Sequence, residues 1–218
     1  VLGGWFSSVQ DSDFEVFGRT GVTKVDATGK LDTSFAAAGG TTGTPVYDLA
    51  LRPDGKIIAV GDFTAMNGVA RNRIARLNAD GSLDTSFDPG TGADGRIYAV
   101  LLQPDGKILV GGQFTQFNGT AREYLARLNA DGSIDTSFVG PDFAMTSGWS
   151  VESLALQADG KLLVGGSFYF SGGATLKAGL CRLAANGALD STFDGIAQGA
   201  HAYGSTSCLL YTSPSPRD

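Results

Sequence analysis

Short apolar runs alternate with polar, glycine-bearing turns along the chain. Residues 46–51 alternate in part, and residues 56–63 carry Ile57, Ile58, Ala59 and Val60 in succession. The second pattern suits a strand buried on both faces. Residues 73–78 and 82–87 follow as third and fourth strands. The turns between them are specific. In Pro104-Asp105-Gly106 proline takes the second turn position and glycine the fourth. That predicts a type I turn with a left-handed glycine bulge. Asn129-Ala130-Asp131-Gly132 repeats the logic. One stretch dissents, since residues 121–130, AREYLARLNA, are good helix formers. The equivalent Val22-Thr23-Lys24-Val25 is β-branched and prefers strand. Copies of one unit share one structure, so strand is predicted in all of them.

The copies are explicit. RLNADGSLDTSF at residues 76–87 returns as RLNADGSIDTSF at 127–138. It returns more weakly as RLAANGALDSTF at 182–193 and KVDATGKLDTSF at 24–35, with spacings of 52, 51 and 55 residues. LRPDGKIIAVGDF at 51–63 becomes LQPDGKILVGGQF at 102–114 and LQADGKLLVGGSF at 156–168. A period of this length with glycine-rich turns marks a propeller blade. The prediction is an all-β fold, a β-propeller fragment of about four four-stranded blades. A partial blade occupies residues 1–40, and blades follow at about 45–92, 96–145 and 150–197. The start of another falls at 198–207, where Ala202 and Tyr203 echo Ile97 and Tyr98. Propellers have about four to eight blades, so an open arc of a larger ring is expected, completed by further blades of the same longer chain. Residues 208–218, CLLYTSPSPRD, resemble a translated sequencing adapter and are read as a non-native scar. The chain is then expected to be a metagenomic fragment whose signal region lies elsewhere.

The two long motifs resemble the delta-60 repeat family, bacterial β-propellers whose blades carry QPDGKILVGG and ARLNADGSLDTSF segments. The likeness runs from Val1 to about Tyr203. The valine-glycine-glycine stretch is also similar to kelch repeats, although the kelch tryptophan has no match. The resemblance implies a bacterial propeller and supplies no catalytic residue and no cofactor.

Composition narrows the classes. Hydrophobic residues are 42% and charged residues 17% of 218, which excludes a disordered chain. No apolar run approaches the roughly 18 residues of a membrane span, so membrane insertion is not expected. The net charge of −6 opposes non-specific nucleic-acid binding. One histidine, His201, and two cysteines, Cys181 and Cys208, argue against a zinc site or a disulfide scaffold.

Candidate chemistry is sparse. Asn78, Asp80 and Asp84 have a spacing a little like a calcium loop, but hard cations want about six oxygens. Turn-making Asx side chains explain Asn78 and Asp80 better, so no metal is expected. Cys181 aligns with Ala75 and Ala126 and reads as a small buried residue. Asn118-Gly119-Thr120 is a formal glycosylation sequon. No P-loop, nucleophile elbow or HExxH is present.

The third-to-fourth hairpin register predicts four ion pairs: Lys24 with Asp32, Arg76 with Asp84, Arg127 with Asp135 and Arg182 with Asp190. Phe63, Phe114 and Phe168 recur, as do Phe35, Phe87, Phe138 and Phe193, and suit packing between blades. Trp5, Phe117, Phe143, Trp149, Tyr169 and Phe170 do not recur. Because strands alternate in direction, the tight hairpins should point to one side. The second-to-third loops and the inter-blade connections should point to the other. Loops on a rigid scaffold carry recognition, so the ligand or partner contacts expected are Arg71, Phe117, Arg122, Trp149 and Tyr169. The function read from this is a non-enzymatic binding or scaffold module of a larger bacterial secreted or surface protein. Its partner would be an unknown protein or a glycan. A glycan- or small-ligand-binding propeller is the alternative, and an enzyme with its catalytic residues in missing blades comes third.

Overall fold

The structure, a computed structural model, describes residues 1–4, 6, 8–10, 12, 16–18, 20–35, 45–141, 143–144, 149–171 and 176–193. These residues form strands and turns, with no helix among them. In the first full repeat Val46–Leu51 pairs with Ile57–Gly61, which pairs with Ile74–Leu77, all antiparallel. The second repeat places Arg96–Leu102, Ile108–Gln113 and Leu125–Leu128 in the same order. The third uses Ser150–Leu156, Leu162–Ser171 and Leu176–Leu183. The first strands of neighbouring repeats lie side by side and make an inner row. Among the described residues no strand of the opening repeat pairs with the third full repeat, so the sheets form an open arc.

The second strand explains the stacking. All five residues of Ile57–Gly61 are buried, so both faces of that sheet are covered. One core joins Ile58, Val60 and Ile74 to Ile97, Ile108 and Val110 of the next repeat. The following core joins Leu109, Leu125 and Phe138 to Val151, Leu162 and Val164. Each sheet hides its apolar side chains only against its neighbours, as in other repeat proteins.

Residues 82–87, expected as a fourth strand, join the sheet through the single bridge Leu77↔Leu83 and then turn. The bridges Val25↔Leu31, Leu128↔Ile134 and Leu183↔Leu189 repeat this. The cause is Asp84, whose carboxylate accepts the Ser86 N–H at 3.0 Å. That bond offers the backbone a turn in place of a ladder. The turn swings Phe87, and likewise Phe138, into the interface, where each is fully buried.

The tight hairpins follow the sequence expectation, with Gly55, Gly106 and Gly160 at φ of 81°, 84° and 81°. A bulge interrupts the first strand of every full repeat, at Tyr47, Tyr98 and Glu152. Opposite it stands the last glycine of the motif, Gly61, Gly112 or Gly166. A Cβ on Gly112 would collide with the Arg96 carbonyl oxygen.

The second-to-third connections depart from expectation. In the first two full repeats each is a short hairpin arm with left-handed Asn-Gly at its tip, Asn67-Gly68 and Asn118-Gly119. Such a pair is the signature of a type I′ turn, and the formal sequon at Asn118 is such a tip. The arms do not stand free; they fold onto neighbouring segments. Phe117 bridges to Ala93 and the Asn118 N–H donates to Gly92 O at 2.7 Å. Asn67 Nδ2 donates to Gly81 O in the third-to-fourth hairpin at 3.0 Å. The reason is hydrophobic: Met66 and Phe117 are fully buried and draw the arms into the clefts between repeats. In the third repeat the second and third strands themselves run on, pairing Tyr169 with Ala178 and Ser171 with Leu176, and Phe143–Ala144 of the preceding connection pairs with Tyr169 and Phe170.

Two substitutions test this packing by urea unfolding. Gly112→Ala should cost about 1–3 kcal/mol through overpacking. Phe138→Ala should cost about 3–5 kcal/mol through loss of a buried ring. A loss under about 1 kcal/mol for Phe138→Ala would show that the ring is not part of the interface.

Candidate functional site

Two polar systems stand out, and the first is structural. Lys56 Nζ and Arg76 Nε both donate to Asp84 Oδ2 at 2.7 Å. Arg76 Nη1 crosses to Ala130 O of the next repeat at 2.6 Å. Its guanidinium lies 4.8 Å from the Phe87 ring centroid. In the second repeat Lys107 and Arg127 share Asp135, and Arg127 reaches Ala185 O at 2.6 Å. In the third, Lys161 and Arg182 share Asp190. In the opening repeat Lys24 Nζ lies 3.1 Å from Asp32. All four pairs named from the hairpin register are thus in contact. The lysine of each PDGK or ADGK turn (Lys56, Lys107, Lys161) was missed, although it recurs in step with the arginine.

This arrangement disposes of the calcium alternative. Asp84 takes four donors, from Lys56, Arg76 and the Ser86 hydroxyl and N–H. Asp80 accepts the N–H and hydroxyl of Ser82, and Asn78 Nδ2 donates to the same hydroxyl. Two cations already neutralise the Asp84 carboxylate that a metal would need. Burial alone would raise the Asp84 and Asp135 carboxyls. Lys56 with Ser86 and Arg76, and Lys107 with Ser137 and Arg127, outweigh it and hold both well below the usual range. Hydrogen bonds from Thr192 and Lys161 do the same for Asp190. Cys181 is buried, and desolvation pushes its thiol up to about 12, which leaves it inert. His201, Cys208 and Trp5 lie outside the described residues.

The second system sits where the first strands begin. A bulge re-aims the side chain it carries. Here it turns Tyr47 and Tyr98, from neighbouring repeats, toward each other with ring centroids 5.1 Å apart at 54°. Tyr47 remains 41% exposed. Beside them Arg96 Nε donates to Asp62 Oδ2 at 3.0 Å, and Arg73 Nε lies 3.8 Å from Asp62 Oδ1. The Tyr98 hydroxyl donates to Gln113 Oε1 at 3.3 Å. Burial raises the Tyr47 phenol, Arg96 opposes that, and Asp62 and Tyr98 add to it. The same neighbours, Tyr98 and Asp62, raise the Arg96 guanidinium further. Four side chains from two repeats therefore share one electrostatic cluster.

The backbone at Arg73 is unusual. Its φ is 65°, and the equivalent positions are Gly21 at 75°, Tyr124 at 62° and Gly179 at 77°. A residue with a Cβ costs about 1–2 kcal/mol there.

The same end of the third repeat carries Glu152, which accepts the hydroxyls of Ser150 and Ser167 at 2.9 and 3.1 Å. Trp149 and Tyr169 meet edge to face at 5.0 Å. The five contact residues expected from sequence therefore do not form one group. Trp149 and Tyr169 are together. Arg71 and Arg122 are half-buried on the arms, each bonded through Nη1 to the carbonyl of the residue before it, at 3.0 and 2.8 Å. Phe117 is fully buried beside Phe114 and cannot serve as an exposed anchor. Tyr47, Tyr98, Asp62 and Arg96 were missed. The available signal was the large polar residue opposite the glycine pair in each repeat, read as Tyr, Tyr and Glu.

Comparison with known proteins places the chain. The family model described as "Domain of unknown function (DUF5122) beta-propeller" matches residues 52–87, 103–138 and 157–193, half of the chain. The chain belongs to this family of β-propeller repeats. No curated protein matches it.

The shared carboxylates make stability acid-sensitive. Their folded pKa values lie below the unfolded value near 3.9. Their contribution is therefore complete above about pH 4 and is lost as pH falls toward the folded values. The melting temperature should fall steeply below about pH 4, and Asp84→Asn with Asp135→Asn should flatten that slope. An unchanged slope would contradict the assignment. A double-mutant cycle on Arg127 and Asp135 should return a coupling of about 0.5–3 kcal/mol.

Proposed function

We propose that this β-propeller is a non-enzymatic binding or scaffold module of a larger bacterial protein, secreted or displayed on the cell surface. One observation carries the reading. Side chains that differ between repeats gather at one end of the sheets, above a framework that repeats. Tyr47 and Tyr98 stand there with Asp62 and Arg96, and Trp149 stands with Tyr169 near the end that holds Glu152. Variable groups held by a rigid scaffold are the usual means of recognition, and exposed aromatics with arginine are favoured anchors. Glycan binding is the more specific reading, favoured by the Tyr47–Tyr98 pair.

The delta-60 type is proposed on the two motifs, since the matched windows open at Arg52, Gln103 and Gln157 and close at Phe87, Phe138 and Phe193. Bacterial origin and the extracellular setting rest on that resemblance.

The test is hydroxyl-radical footprinting against bacterial cell-wall polysaccharides and surface proteins, with mass analysis of the recovered ligand. Binding should protect Tyr47, Tyr98, Trp149 and Tyr169 and return the ligand unchanged. Protection of the Asp54, Asp105 and Asp159 hairpins instead, or chemical turnover of the ligand, would overturn the proposal.

A further inference from the structure

We infer that Tyr47, Tyr98, Asp62, Arg96 and Arg73, between the first and second full repeats, form a subsite for an equatorially substituted pyranose such as glucose or N-acetylglucosamine. The inference deepens the binding-module reading and rests on it.

The aromatic part comes from two strands. Each tyrosine sits on a bulge, so its direction is set by backbone and not by a mobile loop. Tyr98 supports Tyr47 at 5.1 Å, yet 41% of Tyr47 stays exposed. A braced ring with an open face loses little freedom when something stacks on it. A pyranose with equatorial hydroxyls offers a face made only of axial C–H groups, and that face is apolar enough to cover an aromatic ring.

The polar part suits the rim of the same sugar. Vicinal hydroxyls each donate and accept. A carboxylate accepts only and a guanidinium donates only. Asp62 and Arg96, in contact at 3.0 Å, present both kinds of group side by side. Two guanidiniums, Arg73 and Arg96, face the one carboxylate of Asp62, which leaves an excess of one positive charge. The rim therefore selects for vicinal hydroxyls and not against a charged pyranose.

Arg73 supplies an independent observation. Its backbone is left-handed at a position that holds Gly21 and Gly179 in two other repeats and Tyr124 in a third. Tyr124 accepts the same strain and is buried in the core between repeats, whereas Arg73 is only half-buried. An arginine there pays strain and sets a guanidinium beside Asp62, and backbone strain of this kind gathers at functional sites.

The whole chain is titrated by calorimetry with cellohexaose, chitohexaose and, as the control whose axial C1 and C4 oxygens interrupt both ring faces, hexagalacturonate. At least one equatorial probe should bind saturably. Tyr47→Ala and Tyr98→Ala should each weaken it by at least about tenfold, and Tyr47→Phe should stay within about twofold of the parent. Trp149→Ala, in the third repeat, should leave this affinity unchanged. Arg73→Gly should raise the unfolding midpoint while weakening binding, a split that a merely structural arginine would not produce. Failure of both equatorial probes, tighter binding of hexagalacturonate, or parental affinity in Tyr47→Ala would overturn the inference. If the probes fail while another ligand still footprints this end of the sheets, only the sugar assignment falls. If no ligand protects this end, the binding-module reading falls with it.

Discussion

Everything else in this molecule hangs on a carboxylate shared by two cations. Asp84 holds Arg76 on the same hairpin and Lys56 from the turn that leads into the adjacent strand. Its other oxygen forces the chain to turn at Ser86. The turn buries Phe87, Arg76 stacks on that ring, and a second arm of Arg76 reaches Ala130 of the next repeat. One side chain thus ties strand pairing, chain reversal, ring insertion and blade contact together. Removing it would leave two cations with 7% and 31% exposure short of a counter-ion, and a stranded buried charge is far more costly than the pair is favourable.

The opening repeat shows what happens when the link is weaker. Lys24 replaces the arginine and meets Asp32 at 3.1 Å, with 43% of its side chain exposed. A lysine is a point charge without the planar fork. It cannot hold the carboxylate, cover the phenylalanine and reach a neighbouring carbonyl together. The tie between neighbours is thus made by arginine, at Arg76 and again at Arg127.

Sequence reasoning succeeded where local chemistry repeats. The hairpin glycines, the ion pairs across the third hairpin and the doubly buried second strand all follow from residue type and spacing, because each is decided within a few residues. The helix-like stretch at 121–130 resolved as strand for the same reason, since its copy at Val22 and Thr23 could not be helical. Failures came from longer range. Asp84 looked like one more strand residue, and only its side chain's capture of the Ser86 N–H ends the ladder. The arms were read as loops that present Phe117 as a contact, whereas the partners that bury Met66 and Phe117 lie across a cleft. Asn67-Gly68 and Asn118-Gly119 did carry a local turn signal, and it was passed over.

The candidate site was hidden for a different reason. Its members come from separate repeats and are polar, so no apolar period marks them. What unites them is the bulge, which sits opposite a glycine that tolerates no side chain. The framework spends a residue type with no side chain at Gly61 and Gly112 in order to turn Tyr47 and Tyr98 out of the ladder. Evenly paired strands would need neither. A device that repeats in the backbone but carries Tyr, Tyr and Glu in turn separates scaffold from specificity within each blade. The repeat preserves the direction in which a side chain points and leaves its chemistry free to differ. Arg73 extends the division by one step, for there the backbone favours glycine and the residue present is chosen against it. At the same left-handed position Tyr124 is buried in the core and Arg73 sets a guanidinium beside Asp62, so one backbone feature serves packing in one repeat and the polar cluster in another.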